Sequence, residues 1–283
     1  MKDHMLSKPV LEQVTEYVRS NVDTKTVFSI AGVTATGKTD VAFALGDYLL
    51  AGDFGVSRVD IISADSRQVY AAIPIVSGAD IPSSFNQIRD EALEHPFFSN
   101  QKGVNIHGVG ILDDTDEWSV AHFQNFALPI IEHSWKNKGV VLVVGGTGLY
   151  HAHLFNAELK QQPGPDQLLR AKLDQFDLSK LQAYLQNISE EKWHSMNESD
   201  QANPRRLVRA IEQFSTEENN EITTDVPVLQ PKSHKIILLN LDLQAVAERI
   251  AVRVHARLEA GAVQEVEQLL SKLEMDDLNA KKS

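Results

Sequence analysis

Cysteine is absent from the 283 residues of this chain. Disulfide bonds, thiolate metal sites and the Cys-based zinc modules of nucleic-acid binders are therefore excluded. Long apolar runs are also missing, because stretches such as residues 140–144 are far too short to span a bilayer. The first residues contain no continuous apolar core of signal-peptide length. We therefore expect a cytoplasmic protein that has no membrane partner.

Positive charge is in short supply, with 27 Lys and Arg against 39 Asp and Glu and a formal net charge of -12. Indiscriminate binding of nucleic acid depends on counterions released by Lys and Arg, so this composition disfavours it. A nucleic-acid partner would have to be met by clustered arginines. The length suits one hydrophobic core with an insertion.

The motif around which the chain is organised lies at residues 32–39, Gly-Val-Thr-Ala-Thr-Gly-Lys-Thr. It matches the pattern G-x-x-x-x-G-K-[ST], with an apolar strand before it and a helix opened by Asp40 after it. Backbone N–H groups of such a loop point inward at an anion, and the positive end of the helix dipole faces the same anion. Lys38 adds a mobile charge, and the Thr39 hydroxyl can hold Mg²⁺. The sequence predicts a site for a phosphate chain, but leaves open whether that chain is hydrolysed, transferred or expelled.

Asp65 follows the second predicted strand, residues 59–64. A strand, helix and strand in succession imply a right-handed crossover and a parallel sheet. Ligands of such sheets lie beyond the carboxyl ends of the strands, so we expect Asp65 to face the phosphate loop across one crevice. The continuously apolar strand at residues 139–144 brings the glycine-rich turn at 145–150 to the same edge. A carboxylate at this place suits a general base and a water-mediated Mg²⁺ ligand equally well.

The remaining chain is predicted from periodicity and turn residues. An amphipathic helix is expected at residues 9–20, and an excursion over the crevice at 78–103, with a short helical pattern at Ile88, Ala92 and Leu93. His107 stands alone on a strand, and we expect it to be structural. A linker is predicted at 161–165, and short helices follow it. We then expect a helix from Pro204, a polar segment at 216–233, a strand at 235–240 and helices at 243–260 and 263–273.

Five motifs stand in a fixed order. They are residues 32–39, Asp-Ser-Arg-Gln-Val-Tyr at 65–70, Gly-Gly-Thr-Gly-Leu-Tyr at 145–150, Pro-Arg-Arg-Leu-Val-Arg-Ala-Ile-Glu at 204–212, and Arg-Ile-Ala-Val-Arg-Val at 249–254 with Gly-Ala-Val-Gln-Glu-Val at 261–266. In this order they resemble the tRNA dimethylallyltransferase family, also called tRNA isopentenyltransferases. The chain stops soon after the last motif, so the resemblance implies a short or C-terminally truncated member.

The resemblance implies an α/β fold, with a P-loop kinase-like parallel sheet, flanking helices and a helical insertion. We expect an N-terminal helix at residues 1–25, the P-loop catalytic core at 26–155, a mainly helical insertion for tRNA at 156–233, and a core strand with C-terminal helices at 234–283. The implied reaction moves a dimethylallyl group from dimethylallyl diphosphate to N6 of an adenosine adjacent to the tRNA anticodon. The implied cofactor is Mg²⁺, and the protein is expected to be a monomer that binds the anticodon stem-loop.

Residue roles follow from the same resemblance. The catalytic group comprises Asp65 as base together with Thr147, Lys38 and Arg253. The diphosphate is assigned to the loop and one arginine, namely Gly32, Thr34, Ala35, Thr36, Gly37, Lys38, Thr39 and Arg249, with Thr39 also the metal ligand. The tRNA is assigned to Asp65, Ser66, Arg67, Gln68, Arg205, Arg206 and Arg209. Tyr70 is as easily a core residue, and the arginines fit a solvated charged surface too.

Three other hypotheses share these residues. An adenylate isopentenyltransferase would use free AMP, ADP or ATP as acceptor, which suits the acidic charge and short C-terminus. A small-molecule kinase would use the loop and Asp65 in the same way, but would need a lid bearing arginines, and residues 78–103 offer only Arg89 and Lys102. A binding protein without activity is disfavoured because Lys38, Thr39, Asp65 and Thr147 are all present.

Overall fold

A seven-stranded sheet flanked by helices forms the centre of the computed structural model, which describes residues 8–23, 25–156, 166–217 and 233–280. The strands are β1 Thr26–Gly32, β2 Arg58–Ser63, β3 Asn86–Ile88, β4 Phe97–Ser99, β5 Val104–His107, β6 Gly139–Gly145 and β7 Ser233–Leu239. The helices are α1 Lys8–Asn21, α2 Lys38–Ala51, α3 Pro74–Ser77, α4 Val120–Lys136, α5 Gly148–Phe155, α6 Gln167–Leu173, α7 Leu178–Ile188, α8 Glu190–Ser195, α9 Glu198–Gln201, α10 Pro204–Glu217, α11 Leu243–Glu259 and α12 Ala262–Ala280.

The sheet has the order β3-β4-β5-β2-β6-β1-β7. Strands β5, β2, β6, β1 and β7 run parallel, which confirms the predicted parallel sheet. The carboxyl ends of β1, β2 and β6 therefore meet at one edge, because β6 lies between the other two. This is the edge at which the phosphate loop, Asp65 and the glycine-rich turn leave the sheet.

The predicted short helix around residues 88–93 is wrong. β3 ends at Ile88 and β4 begins at Phe97, so the segment connects two strands of an antiparallel extension of the sheet, in which β4 is paired to β5. Pro96 stands directly before β4, and a proline disfavours the helical conformation of the residue that precedes it. The backbone groups of β3 and β4 form hydrogen bonds within the sheet, and the side chains of Phe97 and Leu93 are buried.

Both faces of the sheet are covered, as expected for parallel strands that read as continuous apolar runs. On one face Phe28, Ile30 and Leu142 pack beneath α1 and α2. On the other face Val27, Val141 and Val143 pack against α4 and α5. Ser119 caps α4 by accepting a hydrogen bond from the His122 N–H, as its position before an apolar periodic segment predicts.

Contacts divide the chain into two compact units, Met1–Ala157 with Val228–Ser283, and Glu158–Pro227. The described part of the second unit is helical, and it has a core of its own made by Leu173, Leu181, Leu185, Leu207, Ala210 and Ile211. The predicted linker at 161–165 lies outside the described residues, as does nearly all of the polar segment at 216–233. Among the described helices, none combines the length and apolar composition needed to cross a bilayer.

A buried carboxylate, Asp60, ties β2 to β5. It accepts hydrogen bonds from Arg58 at 2.7 and 2.8 Å, from Asn105 at 3.0 Å and from His107 at 2.9 Å. His107 is itself buried and stacks on Phe97, which confirms the expectation that this histidine is structural. Burial acts to raise the pKa of Asp60, but the hydrogen bonds from His107 and Arg58 outweigh it and hold the pKa well below its ordinary value.

We expect Asp60→Asn to destabilise the protein by about 3–5 kcal/mol at neutral pH, because the change leaves Arg58 without its buried charge partner. Chemical denaturation gives the free energy of unfolding. The matched control is Asp47→Asn, which removes an exposed pair with Lys102 and should cost less than about 1 kcal/mol.

The same pair of proteins tests the pH dependence. The pKa of Asp60 is lower in the folded than in the unfolded chain, so its stabilisation is complete above the unfolded value and is lost as the pH falls below it. The difference between wild type and Asp60→Asn should therefore shrink below about pH 4. A difference that stays constant down to acid unfolding would contradict this assignment.

Candidate active site

The phosphate loop leaves β1 at Gly32 and enters α2 at Lys38. A Cβ on Gly32 would lie 2.5 Å from the carbonyl oxygen of Leu239 on β7, so this position accepts only glycine. Ala35 and Gly37 have positive φ angles of 66° and 87°. Alternation of left- and right-handed residues turns successive N–H groups toward one point, which forms a concave anion site.

Two residues assigned to the diphosphate differ sharply in exposure. Thr36 is fully buried, and its hydroxyl donates to the carbonyl oxygen of Val33 at 2.9 Å, so its side chain maintains the loop. Thr34 is exposed at the surface of the loop. Thr39, at the start of α2, is exposed as well, which leaves its hydroxyl accessible.

Lys38 extends back over the loop. Its ammonium donates to the carbonyl oxygens of Gly32 at 2.9 Å and Val33 at 2.8 Å. Burial lowers the pKa of Lys38, Asp65 acts to raise it, and Arg253 lowers it further. Asp65 and Arg253 therefore both lie within electrostatic reach of Lys38, as the predicted shared crevice requires.

Asp65 is half-buried and begins a turn directly after β2. One of its carboxylate oxygens accepts the Arg67 N–H at 2.9 Å, which fixes the turn and leaves the second oxygen for another partner. Arg67 is exposed and Ser66 is half-buried. Tyr70 donates its hydroxyl to the carbonyl oxygen of Asp116 at 3.2 Å.

Gln68, assigned to tRNA from the motif, has both ends of its side chain engaged within the protein. Its Oε1 accepts from the Ser63 hydroxyl at 2.8 Å, and its Nε2 donates to the carbonyl oxygen of Gly78 at 3.0 Å. The side chain therefore links the end of β2 to the turn around Gly78.

The glycine-rich turn after β6 lies directly against the end of β2. Thr147 donates its backbone N–H to the Ala64 carbonyl oxygen at 3.3 Å. A Cβ on Gly145 would overlap that same oxygen, so the close approach requires glycine. Thr147 is thus bonded to the residue that precedes Asp65, at the edge of the sheet where the sequence predicts both.

Tyr150 belongs to the site, although the motif alone did not mark it as functional. It is buried and stacks on Phe123, with ring centroids 4.5 Å apart. Burial raises the pKa of Tyr150 to about 12, with Tyr70 and Asp65 adding to the rise and a hydrogen bond with Ser66 opposing it. The tyrosine therefore stays neutral, and its hydroxyl shares a hydrogen bond with Ser66. The sequence signal that could have identified Tyr150 was its position at the end of the glycine-rich motif at residues 145–150.

Three arginines spaced four residues apart on α11 face the same crevice. Arg249 donates to the carbonyl oxygen of Ala35 in the phosphate loop at 3.4 Å. Arg257 donates to the carbonyl oxygen of Val76 at 3.0 Å. Burial lowers the pKa of Arg257, the charge of Arg253 lowers it further, and Asp80 and Asp65 oppose both. Residues four apart lie on one face of a helix, and these contacts agree with that spacing.

The other three assigned arginines lie on α10, in the second unit. Arg205 is exposed, and Arg206 forms an ion pair with Asp200. Arg209 pairs with Glu212 at 3.2 Å, and Arg170 reaches the same buried carboxylate at 2.5 Å. Within this unit, two of the three predicted arginines are therefore at least partly engaged with carboxylates.

A magnesium ion fits the crevice only as a companion of a phosphate ligand. The described residues include no group of three or more His, Asp or Glu side chains able to hold a metal. Mg²⁺ commonly keeps several waters and takes one or two protein oxygens along with substrate phosphates. The exposed Thr39 hydroxyl, at the start of the helix that follows the loop, suits that arrangement.

Comparisons with known proteins place this geometry in a family. A sequence model described as IPP transferase matches residues 94–283, which is more than half of the chain. The tRNA dimethylallyltransferase of a Cyanothece species is 30% identical over 246 residues, covering 85% of this chain and 71% of the relative. The enzyme of the same name from an Exiguobacterium species is 31% identical over 250 residues, covering 87% and 71%.

A solved structure supports the fold. It is that of a eukaryotic dimethylallyltransferase acting on tRNA, and it superposes with a TM-score of 0.60 at 20% sequence identity. The match covers 89% of this chain and 57% of the other, so the chain spans less than two thirds of that solved relative. At this identity the likeness establishes the fold alone.

The sheet, the loop at its carboxyl edge and the lysine over that loop define an α/β protein of the P-loop class. With the sequence matches, the chain belongs to the IPP transferase family. The family resemblance seen in the five motifs is thereby confirmed.

Gly78 offers a test of the arginine arrangement. It has a φ of 69°, and a Cβ there would collide with the guanidinium of Arg257 and approach that of Arg253 to 3.0 Å. We expect Gly78→Ala to displace both arginines and to weaken binding of inorganic diphosphate by about tenfold or more, measured by calorimetry.

Gly55→Ala is the matched control, because Gly55 has a φ of 65° with no atom within 4 Å of its added Cβ. Both variants carry the same backbone strain, of about 1 kcal/mol. Equal diphosphate affinities in the two variants would contradict the arrangement.

Proposed function

We propose that this chain transfers a dimethylallyl group from dimethylallyl diphosphate to the exocyclic N6 of an adenosine adjacent to the anticodon of tRNA, releasing diphosphate. The observation that carries the proposal is that Asp65 and Arg253 both lie within electrostatic reach of Lys38 in the phosphate loop, in a chain of the IPP transferase family. The relatives described above are named tRNA dimethylallyltransferases.

Departure of diphosphate from an allylic carbon builds negative charge on oxygen atoms. Lys38, the inward N–H groups of the loop, Arg249 and Arg253 are the groups that would stabilise this charge. Because these groups are held by the sheet edge and α11, little reorganisation is needed when the charge develops. A bound Mg²⁺, with Thr39 as its ligand, would add a further positive charge on the phosphate oxygens.

The acceptor amine must lose a proton as the new carbon–nitrogen bond forms. Asp65 has one carboxylate oxygen engaged by the Arg67 N–H and a second one for this proton. Thr147, bonded through its backbone to the residue before Asp65, would line the place where the two substrates meet. Ser66 and Arg67 would contact the target base and its neighbours.

An adenosine in an anticodon loop has to be turned out of its stack to enter the crevice, and a single-stranded loop makes this inexpensive. The helical unit with Arg205, Arg206 and Arg209 is the part that we assign to gripping the anticodon arm. A free adenine nucleotide is the second candidate acceptor. It is favoured by the net charge of -12 and by the carboxylate partners of Arg206 and Arg209.

Labelled dimethylallyl diphosphate and Mg²⁺, offered with unmodified tRNA in one tube and AMP or ATP in another, separate the acceptors. We expect label on an anticodon-adjacent adenosine of tRNA. Label on free nucleotide alone would move the protein to the adenylate isopentenyltransferases. No label in either tube would contradict both proposals, and phosphoryl-transfer assays would follow.

Two substitutions separate the roles of base and phosphate site. We expect Asp65→Asn to lower turnover by about 10²- to 10⁴-fold, while diphosphate binding is kept, because asparagine still accepts the Arg67 N–H but cannot take up the proton. Lys38→Ala should weaken binding and turnover together. The exposed Asp53→Asn is the control. Loss of diphosphate binding with turnover retained in Asp65→Asn would rule out the role as base.

A further inference from the structure

The short helix α3 is capped from a distant part of the chain. Its N-cap position is occupied by Ile73, which offers no side-chain acceptor. Both carboxylate oxygens of Glu265, on α12, instead accept backbone N–H groups, from Ile75 and Val76, each at 2.8 Å. First-turn N–H groups have no partner inside a helix, and a carboxylate forms charge-assisted bonds with them. Glu265 therefore holds the first turn of α3.

The other side of this turn contacts the arginine face of α11. Arg257 donates to the carbonyl oxygen of Val76 at 3.0 Å. Gly78, which ends α3 in a left-handed conformation, lies so close to the guanidinium groups of Arg257 and Arg253 that a methyl group would not fit. The turn at residues 73–78 thus forms the surface against which both arginines rest.

The turn is also connected to the end of β2. The Gly78 carbonyl oxygen accepts a hydrogen bond from Nε2 of Gln68, and Oε1 of the same side chain accepts one from the Ser63 hydroxyl. Ser63 stands two residues before Asp65. A continuous set of hydrogen bonds therefore runs from Glu265 through the turn to the end of β2, two residues before Asp65. Arg253 lies against Gly78 and within electrostatic reach of Lys38.

We propose that Glu265 is a positioning residue for the reaction. By capping α3 from α12, Glu265 fixes the turn at residues 73–78. This turn then sets Arg253 at the correct distance from Lys38 and Asp65. Glu265 itself contacts neither substrate. The inference rests on the proposed function, because it assigns Arg253 to the diphosphate.

The variants are Glu265→Ala, which removes both acceptors, and Glu265→Gln, which keeps the shape and one acceptor oxygen. Glu267→Ala is the matched control, because Glu267 lies on the same helix with an exposed side chain. Hydrogen exchange at residues 73–78 reports the cap directly. We expect exchange there to rise strongly in Glu265→Ala, less in Glu265→Gln and not at all in Glu267→Ala.

The functional measurement is the affinity for inorganic diphosphate, together with kcat and KM for prenyl transfer. Glu265→Ala should lower the affinity and kcat on the order of 10- to 100-fold, since a small misplacement of a positioned group has effects of this size. Glu265→Gln should recover part of the loss. In an Arg253→Ala background, Glu265→Ala should cause a further loss of less than about twofold, because the two residues act through one contact.

Losses that simply multiply in the double variant would overturn the proposal, because Glu265 would then act independently of Arg253. Increased exchange at residues 73–78 with unchanged diphosphate affinity would overturn it as well, and would leave a purely structural cap. Exchange and diphosphate binding require no prenyl acceptor. A wild-type protein that binds diphosphate but prenylates neither tRNA nor nucleotide would therefore count against the proposed function alone.

Discussion

The contact between the end of β6 and the end of β2 is the constraint on which the site depends. Gly145 approaches the Ala64 carbonyl oxygen more closely than any residue with a Cβ could, and Thr147 donates its N–H to the same oxygen. Because β6 also pairs with β1, this contact brings three strand ends to one edge. The phosphate loop, Asp65 and Thr147 are neighbours for this reason, although they are far apart in the sequence.

The crevice gathers cations within an acidic protein. Burial lowers the pKa of both Lys38 and Arg257, the charge of Arg253 lowers both further, and Asp65 partly offsets these effects. A polyanionic ligand stabilises like charges that the folded structure holds together. The free energy needed to bring these charges together is supplied by folding, before the ligand binds. A local cluster of cations thus forms in a chain whose net charge is -12.

The sequence was most informative where local chemistry decides the structure. Continuous apolar runs predicted β1, β2 and β6, and the glycine and lysine pattern located the phosphate loop. The antiparallel strands β3 and β4 were missed, because they are three residues long and the residues of β3 are exposed, so no period of two develops. Pairing along β5, a tertiary effect, decides their conformation.

Site residues follow the same division. Lys38 and Asp65 could be placed from the order of strands and loops alone. Tyr150 was missed because its role depends on Ser66 and Asp65, and Glu265 because its partner is the backbone of a turn nearly two hundred residues earlier in the chain. The pairing of Arg170 with Glu212 depends likewise on how α6 and α10 meet. Contacts of this kind leave no periodic trace in a sequence.

The late position of β7 has a consequence for biosynthesis. β7 pairs with β1 over all seven residues Thr26–Gly32, and α11 follows with the three arginines. A chain emerging from the ribosome presents the phosphate loop long before this strand and helix exist. The nascent core therefore exposes one edge of β1, a surface prone to pairing with other chains, until the helical unit has been completed.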